Sequence, residues 1–308
     1  MSTEKTLISR FRESDFLYDF KRSPVTVVSF VIVMILIMLA VFADLVAPTN
    51  PFDAASLNLM NGFTPPMEPN AFTGETFVLG TDDQGRDLFS AIIFGLRVSL
   101  FVGLTAVILA MVLGVSLGLI AGYRGGWVDS LIMRAADIQV TFPSILIAML
   151  IFGIAKGVIP IQHHDQMAIW VLIIAIGLSD WVQFARVVRG ATLVEKDKEY
   201  VQAARMMGRG RGIIMLRHIL PNVLSPVLVI ATISLALAII AEATLSFLGV
   251  GAPPTQPSLG TLIRIGQDFL FSGEWWIILF PSATLLALAL SVNLLGDWLR
   301  DALNPRLQ

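Results

Sequence analysis

Long apolar runs separated by short polar stretches dominate the hydrophobicity pattern of this chain. A bilayer core about 30 Å thick is crossed by about 20 mostly apolar residues in a helix. Six runs have this character, at residues 25–46, 98–121, 130–154, 167–185, 223–248 and 276–296. No run alternates as a strand would, and a backbone inside lipid must satisfy its own hydrogen bonds. The pattern predicts an all-α polytopic membrane protein with six transmembrane helices.

Composition agrees with a membrane location. The 308 residues are 56% hydrophobic and 14% charged, and the mean hydropathy is +0.78, whereas soluble domains carry about 25% charged residues. The net charge of −2 gives no reason to expect a nucleic-acid ligand. The sequence contains no cysteine, which excludes disulfides, thiolate metal sites and a cysteine nucleophile.

Lysine and arginine are distributed unevenly between alternate loops. With the N-terminus inside, 17 of the 21 basic residues lie in cytoplasmic pieces and 4 in outer pieces. The positive-inside rule therefore predicts that both termini are cytoplasmic. The predicted organisation is a cytoplasmic N-terminal segment (1–24), a first transmembrane helix (25–46), an extracytoplasmic segment (47–97), a five-helix core (98–296) with a cytoplasmic loop at 186–222, and a cytoplasmic tail (297–308).

Two features stand out within the extracytoplasmic segment. It is rich in proline, asparagine and acidic residues, which predicts irregular surface structure. Just before the second apolar run, Asp82, Asp83, Arg86 and Asp87 are expected to form a capped, hydrogen-bonded start to the helix.

The loop at 186–222 is the most charged part of the chain, with eight basic and three acidic residues. Asp197 is predicted to cap a helix that begins near Lys198, and Gly208 suits a left-handed helix end. One face of that helix would carry Tyr200, Ala203, Ala204 and Met207. We interpret it as a short helix that seats in a groove of a cytoplasmic partner; the alternative is a solvated loop that only fixes topology.

The stretch VQAARMMGRGRGIIMLRHILP resembles the cytoplasmic-loop signature of ABC-importer permeases, in which two alanines follow a glutamate and precede a glycine and a Leu-Pro pair. The matching residues are Ala203, Ala204, Gly208, Leu220 and Pro221. Gln202 occupies the glutamate position and His218 a usual isoleucine. Three further stretches, LGTDDQGRDLFSAIIFGLRVSLFVGL, EATLSFLGVGAPPTQPSLG and NLLGDWLRDALNPRL, are similar to the dipeptide/oligopeptide/nickel branch of these permeases.

This resemblance implies a type I ABC importer permease fold in a bacterial inner membrane, with the charged loop as a coupling helix in a cleft of an ATP-binding subunit. The residues implied to contact that subunit are Glu199, Tyr200, Gln202, Ala203, Ala204, Met207, Gly208 and Arg209. The implied partners are a second related permease, two ATP-binding subunits and an extracytoplasmic substrate-binding protein.

The chain itself would be a transport subunit and not an enzyme. It has no Gly-x-x-x-x-Gly-Lys-Ser/Thr phosphate loop, so ATP and Mg²⁺ are expected on the partner subunits, with no cofactor bound by this chain. Di- or oligopeptides are the expected cargo, and nickel or an oligosaccharide are alternatives within the branch. An ion-coupled secondary transporter and a membrane enzyme are alternatives from other classes.

Two acidic positions within the apolar runs raise separate questions. Glu242 is expected toward the outer side of the fifth run, where it either lines the pathway and meets a peptide amino group or is a structural acid bonded to a neighbouring helix. Asp180 interrupts the fourth run. Near the inner end of the third run, Arg134 and Asp137 are predicted to form a local ion pair.

The remaining motifs have structural interpretations. His163, His164 and Asp165 are expected in a surface loop and not at a metal, because adjacent histidines cannot both point to one ion from a regular helix. Trp275 and Trp276 are predicted to be interfacial anchors. Gly114 and Gly118 are predicted to allow close helix packing.

Overall fold

The computed structural model describes residues 20–53 and 57–302, and their regular structure is helical apart from two isolated β-bridges. The helices are α1 (Pro24–Val41), α2 (Ala43–Val46), α3 (Leu88–Arg124), α4 (Gly126–Val140), α5 (Ser144–Val158), α6 (His164–Glu195), α7 (Glu199–Met206), α8 (Arg211–Phe247), α9 (Leu259–Asp268) and α10 (Trp276–Ala302). Short 3-10 turns occupy Leu59–Asn61 and Ile161–His163. Residues 1–19 of the predicted N-terminal segment, and residues 303–308 of the predicted tail and C-terminal motif, lie outside the described residues.

Five described helices, namely α1, α3, α6, α8 and α10, are long and apolar enough to cross a membrane. The predicted third span is not one continuous helix, and that expectation is wrong. The chain bends by 96° between α4 and α5, because Pro143 lacks an amide hydrogen and disfavours helical geometry at Phe142. The count reaches six when this bent pair is taken as one span.

The packing of α3 against α6 forms the centre of the bundle. A Cβ added at Gly114 would lie 2.4 Å from the Trp181 carbonyl oxygen, and one at Gly118 would lie 2.5 Å from the Ala185 carbonyl oxygen. Gly122 continues the same row against α6. The prediction of glycine-mediated packing is confirmed, and the structure identifies α6 as the helix that it admits.

Helix α3 begins ten residues before the predicted second span. The Asp87 carboxylate accepts a 2.9 Å hydrogen bond from the Ser90 amide and therefore caps the helix. Upstream, Arg86 Nε lies 2.5 Å from Asp82 Oδ2, with both side chains buried. The predicted capped and hydrogen-bonded start is confirmed.

The described residues between α2 and α3, called the outer segment below, have little regular structure, as expected, but buried hydrogen bonds hold them in place. The Thr81 hydroxyl donates to the backbone carbonyl oxygen of Asn61 at 2.5 Å, and the side-chain amide of Asn70 donates to the Thr64 hydroxyl at 2.7 Å. The Trp276 indole donates to the Thr81 carbonyl oxygen at 3.1 Å. Trp276 is 7% exposed, so its predicted role as an interfacial anchor is wrong: its polar atom binds protein and not headgroups.

The predicted local pair of Arg134 and Asp137 is also wrong. Arg186 on α6 lies 2.8 Å from Asp137 on α4, while Arg189 contacts both carboxylate oxygens of Asp129 at 2.5 and 2.6 Å. The antiparallel packing of α4 and α6 brings these residues together. Asp137 therefore pairs with Arg186 of another helix and not with Arg134 of its own. Two ion pairs therefore connect α4, the first helix of the bent pair, to α6.

Candidate functional site

The short helix α7 lies between α6 and α8, where the sequence predicted a coupling helix. Its N-cap is Lys198 without a side-chain hydrogen bond, so the predicted capping by Asp197 is wrong. The backbone carbonyl of Asp197 instead accepts a 3.0 Å hydrogen bond from the Gln202 amide. At the other end Gly208 has φ +73, which confirms the left-handed helix end.

The predicted cytoplasmic loop is shorter than the range 186–222. Helix α6 continues to Glu195 and α8 begins at Arg211, so α7 and its flanking turns make up the connection.

The two faces of α7 differ in exposure. Val201 and Ala204 are fully buried and pack in the core with Ile214 and Ile219 of α8. On the opposite side Ala203 is exposed and Met206 is 90% exposed. Val201 and Ala204 thus form a buried, anchoring face of α7, and Ala203 and Met206 form an exposed, presenting face on the opposite side.

This arrangement corrects the predicted face. The structure places Glu199, Tyr200, Gln202, Ala203, Met207, Gly208 and Arg209 at the exposed surface. Ala204 has no exposed area and cannot touch a partner in this conformation, because the period of the helix turns it toward α8. The sequence reasoning missed Met206, although its position three residues after Ala203 is the signal that could have identified it.

Tyr200 connects α7 to both neighbouring helices. Its hydroxyl donates to the Glu195 carboxylate at the end of α6 and accepts a 3.1 Å hydrogen bond from the Asn222 amide on α8. Burial, and next the Glu195 carboxylate, raises the pKa of Tyr200 to about 12, so the phenol stays protonated and can donate at neutral pH. These two hydrogen bonds link α7 to α6 and α8.

A basic cavity lies beside α7. It has a volume of about 390 Å³ and is lined by Tyr123, Arg124, Arg205, Arg209, Arg211 and Ile214. The Arg205 guanidinium lies 5.1 Å from the centre of the Tyr123 ring, which holds it in place. No acidic residue lines this cavity in the described part of the chain, so its field favours acidic groups on an approaching protein.

The Leu-Pro pair lies inside α8 and does not start it. Residues Ile214–Ile219 form a π-helical turn, and the Leu220 amide bonds to the Met215 carbonyl oxygen. The wider turn accommodates Pro221, which has no amide hydrogen and would clash in a regular helix. Helix α8 therefore runs without interruption from the turn after α7 into the apolar span.

Glu242 lies inside the bundle. It has no exposed area, and its two carboxylate oxygens accept 2.7 Å hydrogen bonds from the Ser99 and Ser246 hydroxyls. The Leu259 amide donates to the same Ser99 oxygen at 3.2 Å. This geometry favours the structural interpretation of Glu242; contact with cargo stays a prediction.

His163 ends a 3-10 turn, and His164, the first residue of α6, contacts backbone carbonyl oxygens. The His164 Nε2 atom lies 2.8 Å from the Ile159 carbonyl oxygen and 3.1 Å from that of Lys156. Within residues 20–53 and 57–302, no three His, Asp or Glu side chains form a group that could hold a metal ion.

Two family models match this chain. The model described as binding-protein-dependent transport system inner membrane component matches residues 114–308, and that of the N-terminal TM domain of oligopeptide transport permease C matches residues 14–66. The first includes α7 and every residue that lines the basic cavity, and the second includes α1.

Several relatives are similar over nearly their whole length. A putative peptide transport system permease protein of Brucella suis is 40% identical over 285 residues, 91% of this chain and 88% of the relative. The dipeptide transport system permease protein DppC of Alkalihalophilus pseudofirmus is 36% identical, covering 98% and 92%. The oligopeptide transport system permease protein OppC of Bacillus subtilis is 34% identical, covering 96% and 90%.

Proposed function

The chain belongs to the family of binding-protein-dependent transport system inner membrane components, and from this premise we propose that it carries di- or oligopeptides inward as one permease subunit of an ATP-driven complex. The chain is a multi-pass membrane protein of a permease family. The cargo is inferred from the relatives named as peptide, dipeptide and oligopeptide permeases.

The observation that carries this proposal is the presenting face of α7. Ala203 offers a small exposed surface, and Met206 and Met207 stand beside it with 90% and 71% of their area exposed. Methionine adapts its shape to a groove, and exposed apolar groups next to a basic cavity are typical of a docking surface. An ATP-binding subunit with an acidic-rimmed cleft fits this chemistry.

The same surface suggests how ATP binding is coupled to transport. Closure of two ATP-binding subunits would move α7, and the Tyr200 bonds to Glu195 and Asn222 would pass that movement to α6 and α8. A packed bundle responds by switching between two arrangements. On this proposal ATP and Mg²⁺ reside on the partner subunits, and the cavity between two permeases opens alternately to each side.

We place α7 and both termini in the cytoplasm. The outer segment precedes α3, whereas Arg124 at the other end of that helix lines the basic cavity. A helix of 37 residues spans about 55 Å at the helical rise per residue, more than the bilayer core. The outer segment and the docking surface thus lie on opposite sides of the membrane, and the lysine and arginine distribution favours the cytoplasm for the latter.

The test is recovery of the affinity-tagged chain from its native membranes in mild detergent, with mass spectrometry of the associated proteins. We expect ATP-binding subunits and a second permease, and ATP-dependent uptake of a labelled dipeptide after reconstitution with the cognate binding protein. Repeated recovery without an ATPase, even after cross-linking, would overturn the coupling role. Uptake of nickel or an oligosaccharide without peptide would overturn the cargo.

A further inference from the structure

A cavity with both polar and apolar lining residues lies where the bent helix pair meets α6 and α8. Its volume is about 510 Å³, within the range of ligand-binding pockets. Its lining includes Gln139, Phe142, Asp180, Gln183, Ile240 and Thr244. Transporters place substrate sites at discontinuous helices, because the break brings polar backbone groups to a protected cavity. This cavity is separate from the α7 surface and from the buried Glu242 cluster.

Asp180 occupies the middle of α6, sixteen residues after His164 and fifteen before Glu195. A carboxylate at that depth is costly unless it faces water or a positive charge. None of the ion pairs formed within the described residues includes Asp180. The cavity lining, as far as the structure describes it, contains no lysine, arginine or histidine. The described part of the chain thus presents an acid to the cavity without supplying its counter-charge.

Gln139, which lies on α4 close to the bend, forms hydrogen bonds to the residues on both sides of Asp180. The Gln139 amide donates to the carbonyl oxygens of Leu178 and Ser179, both at 2.9 Å. The Trp181 indole donates back to the Gln139 side-chain oxygen at 2.8 Å. These bonds flank Asp180 on both sides, so its position is set before a ligand arrives, which reduces the ordering cost of binding.

The other side of the cavity is connected to α8. The Gln183 amide donates to the Ser234 hydroxyl at 3.0 Å, and Leu237 and Ile240 add apolar area that is about half exposed. The site therefore combines one carboxylate, hydroxyl oxygens and an apolar wall. A single carboxylate is too few for a metal ion, whereas an ammonium group is satisfied by one carboxylate with neighbouring oxygen acceptors.

We propose that Asp180 binds the protonated amino terminus of the peptide cargo in this cavity, which rests on the proposed peptide-import function. The ammonium supplies the counter-charge that the described residues around the cavity lack, in a charge-assisted hydrogen bond. The apolar wall takes the first side chains, without selecting a sequence. Asp180 is accordingly a cargo-binding residue that requires a free amino terminus.

A reporter cysteine tests the proposal directly. The chain contains no native cysteine, so Thr244→Cys places one thiol of this chain in the cavity that Asp180 also lines. In the purified full complex we expect alanyl-phenylalanine to slow labelling of that thiol by a maleimide. Adding Asp180→Asn should raise the half-protecting concentration about tenfold, the loss typical of a hydrogen bond to a charged group. Asp180→Glu should restore part of the protection.

N-acetyl-alanyl-phenylalanine is the matched ligand, because it lacks the ammonium. Its half-protecting concentration should not change with Asp180→Asn. The matched protein control is Asp268→Asn, which removes an exposed carboxylate at the end of α9 and should leave protection by both ligands unchanged.

Each other outcome overturns the inference. Equal protection by the free dipeptide with and without Asp180→Asn would show that the carboxylate does not bind the amine. Loss of complex assembly in Asp180→Asn would show that the acid pairs with another subunit. Absence of protection by either ligand, in a complex that takes up the dipeptide, would place the cavity off the pathway. If the wild-type complex takes up no peptide, the proposed function itself fails.

Discussion

The hydroxyl of Ser99 donates a 2.7 Å hydrogen bond to the carboxylate of Glu242 across 143 positions of sequence. Both residues are fully buried. With the Ser246 hydroxyl and the Leu259 amide, this contact joins α3, α8 and α9 in one hydrogen-bonded cluster. Hydrogen bonds to both carboxylate oxygens account for an acid at a position that would otherwise be costly.

Glu242→Ala should destabilise the folded chain by about 1–3 kcal/mol, because the Ser99 and Ser246 hydroxyls lose their acceptor in a buried site. Glu242→Gln keeps one oxygen acceptor and should cost less. Thermal unfolding of the purified chain in detergent measures both. If Glu242→Gln unfolds normally but alters uptake of particular peptides, the pathway role of Glu242 is favoured instead.

Tryptophan substitution at two adjacent alanines should give two different defects, a loss of partner binding at Ala203 and a loss of stability at Ala204. Ala203→Trp lies on the exposed face of α7 and should reduce recovery of ATP-binding subunits without lowering the melting temperature of the chain. Ala204→Trp is forced into a fully buried site and should lower that temperature, since overpacking costs about 1–3 kcal/mol. Parallel co-purification and melting experiments measure the two effects; a reversal would contradict the assigned faces.

Gly118→Ala should weaken the packing of α3 on α6. Its Cβ would lie 2.5 Å from a backbone oxygen of Ala185, which cannot move without the helix. The matched control is Gly153→Ala, where no atom lies within 4 Å and alanine improves helix propensity. Comparison of folded yield and melting temperature should show a loss only at Gly118; equal behaviour would mean that the helices separate at low cost.

Trp276→Phe should loosen the outer segment, because it removes the indole donor to the Thr81 carbonyl oxygen. Limited proteolysis of the intact membrane protein should then cut residues 57–87 faster. Trp275→Phe is the control, since Trp275 is 50% exposed. The assigned role of Trp276 is contradicted if both variants are cut at the wild-type rate.

Asp83→Asn should stabilise the protein near neutral pH. Burial, and then the neighbouring Asp82, raises the pKa of Asp83 above its ordinary value, and Arg86 offsets this only in part. A carboxyl with a raised folded pKa favours folding when protonated, so wild-type stability rises as pH falls through the raised pKa toward the ordinary value. The advantage of Asp83→Asn should therefore be largest near pH 8 and shrink toward about pH 4. Melting temperatures across that interval measure it; an advantage independent of pH would exclude the carboxylate as its cause.

The sequence predicted much of α7 and its flanking turns but not the orientation of that helix. The glycine after α7, the small alanine pair and the basic cluster could be read directly from residue order. Which alanine faces outward could not, because that depends on how Val201 and Ala204 pack against Ile214 and Ile219. Similarly, Asp137 has helical neighbours at the correct spacing, yet it pairs with Arg186 from another helix.

By itself, the sequence determined the helical membrane class, the positions of the long apolar helices and the location of the short helix α7. These follow from apolar length, charge distribution and local turn chemistry, all of which act between near neighbours in the chain. Only the tertiary structure decided that the third span bends at Pro143, that Glu242 is enclosed by Ser99 and Ser246, and that Asp180 faces a cavity. Those outcomes depend on contacts between distant segments, whose hydrogen bonds and packing outweigh local preference.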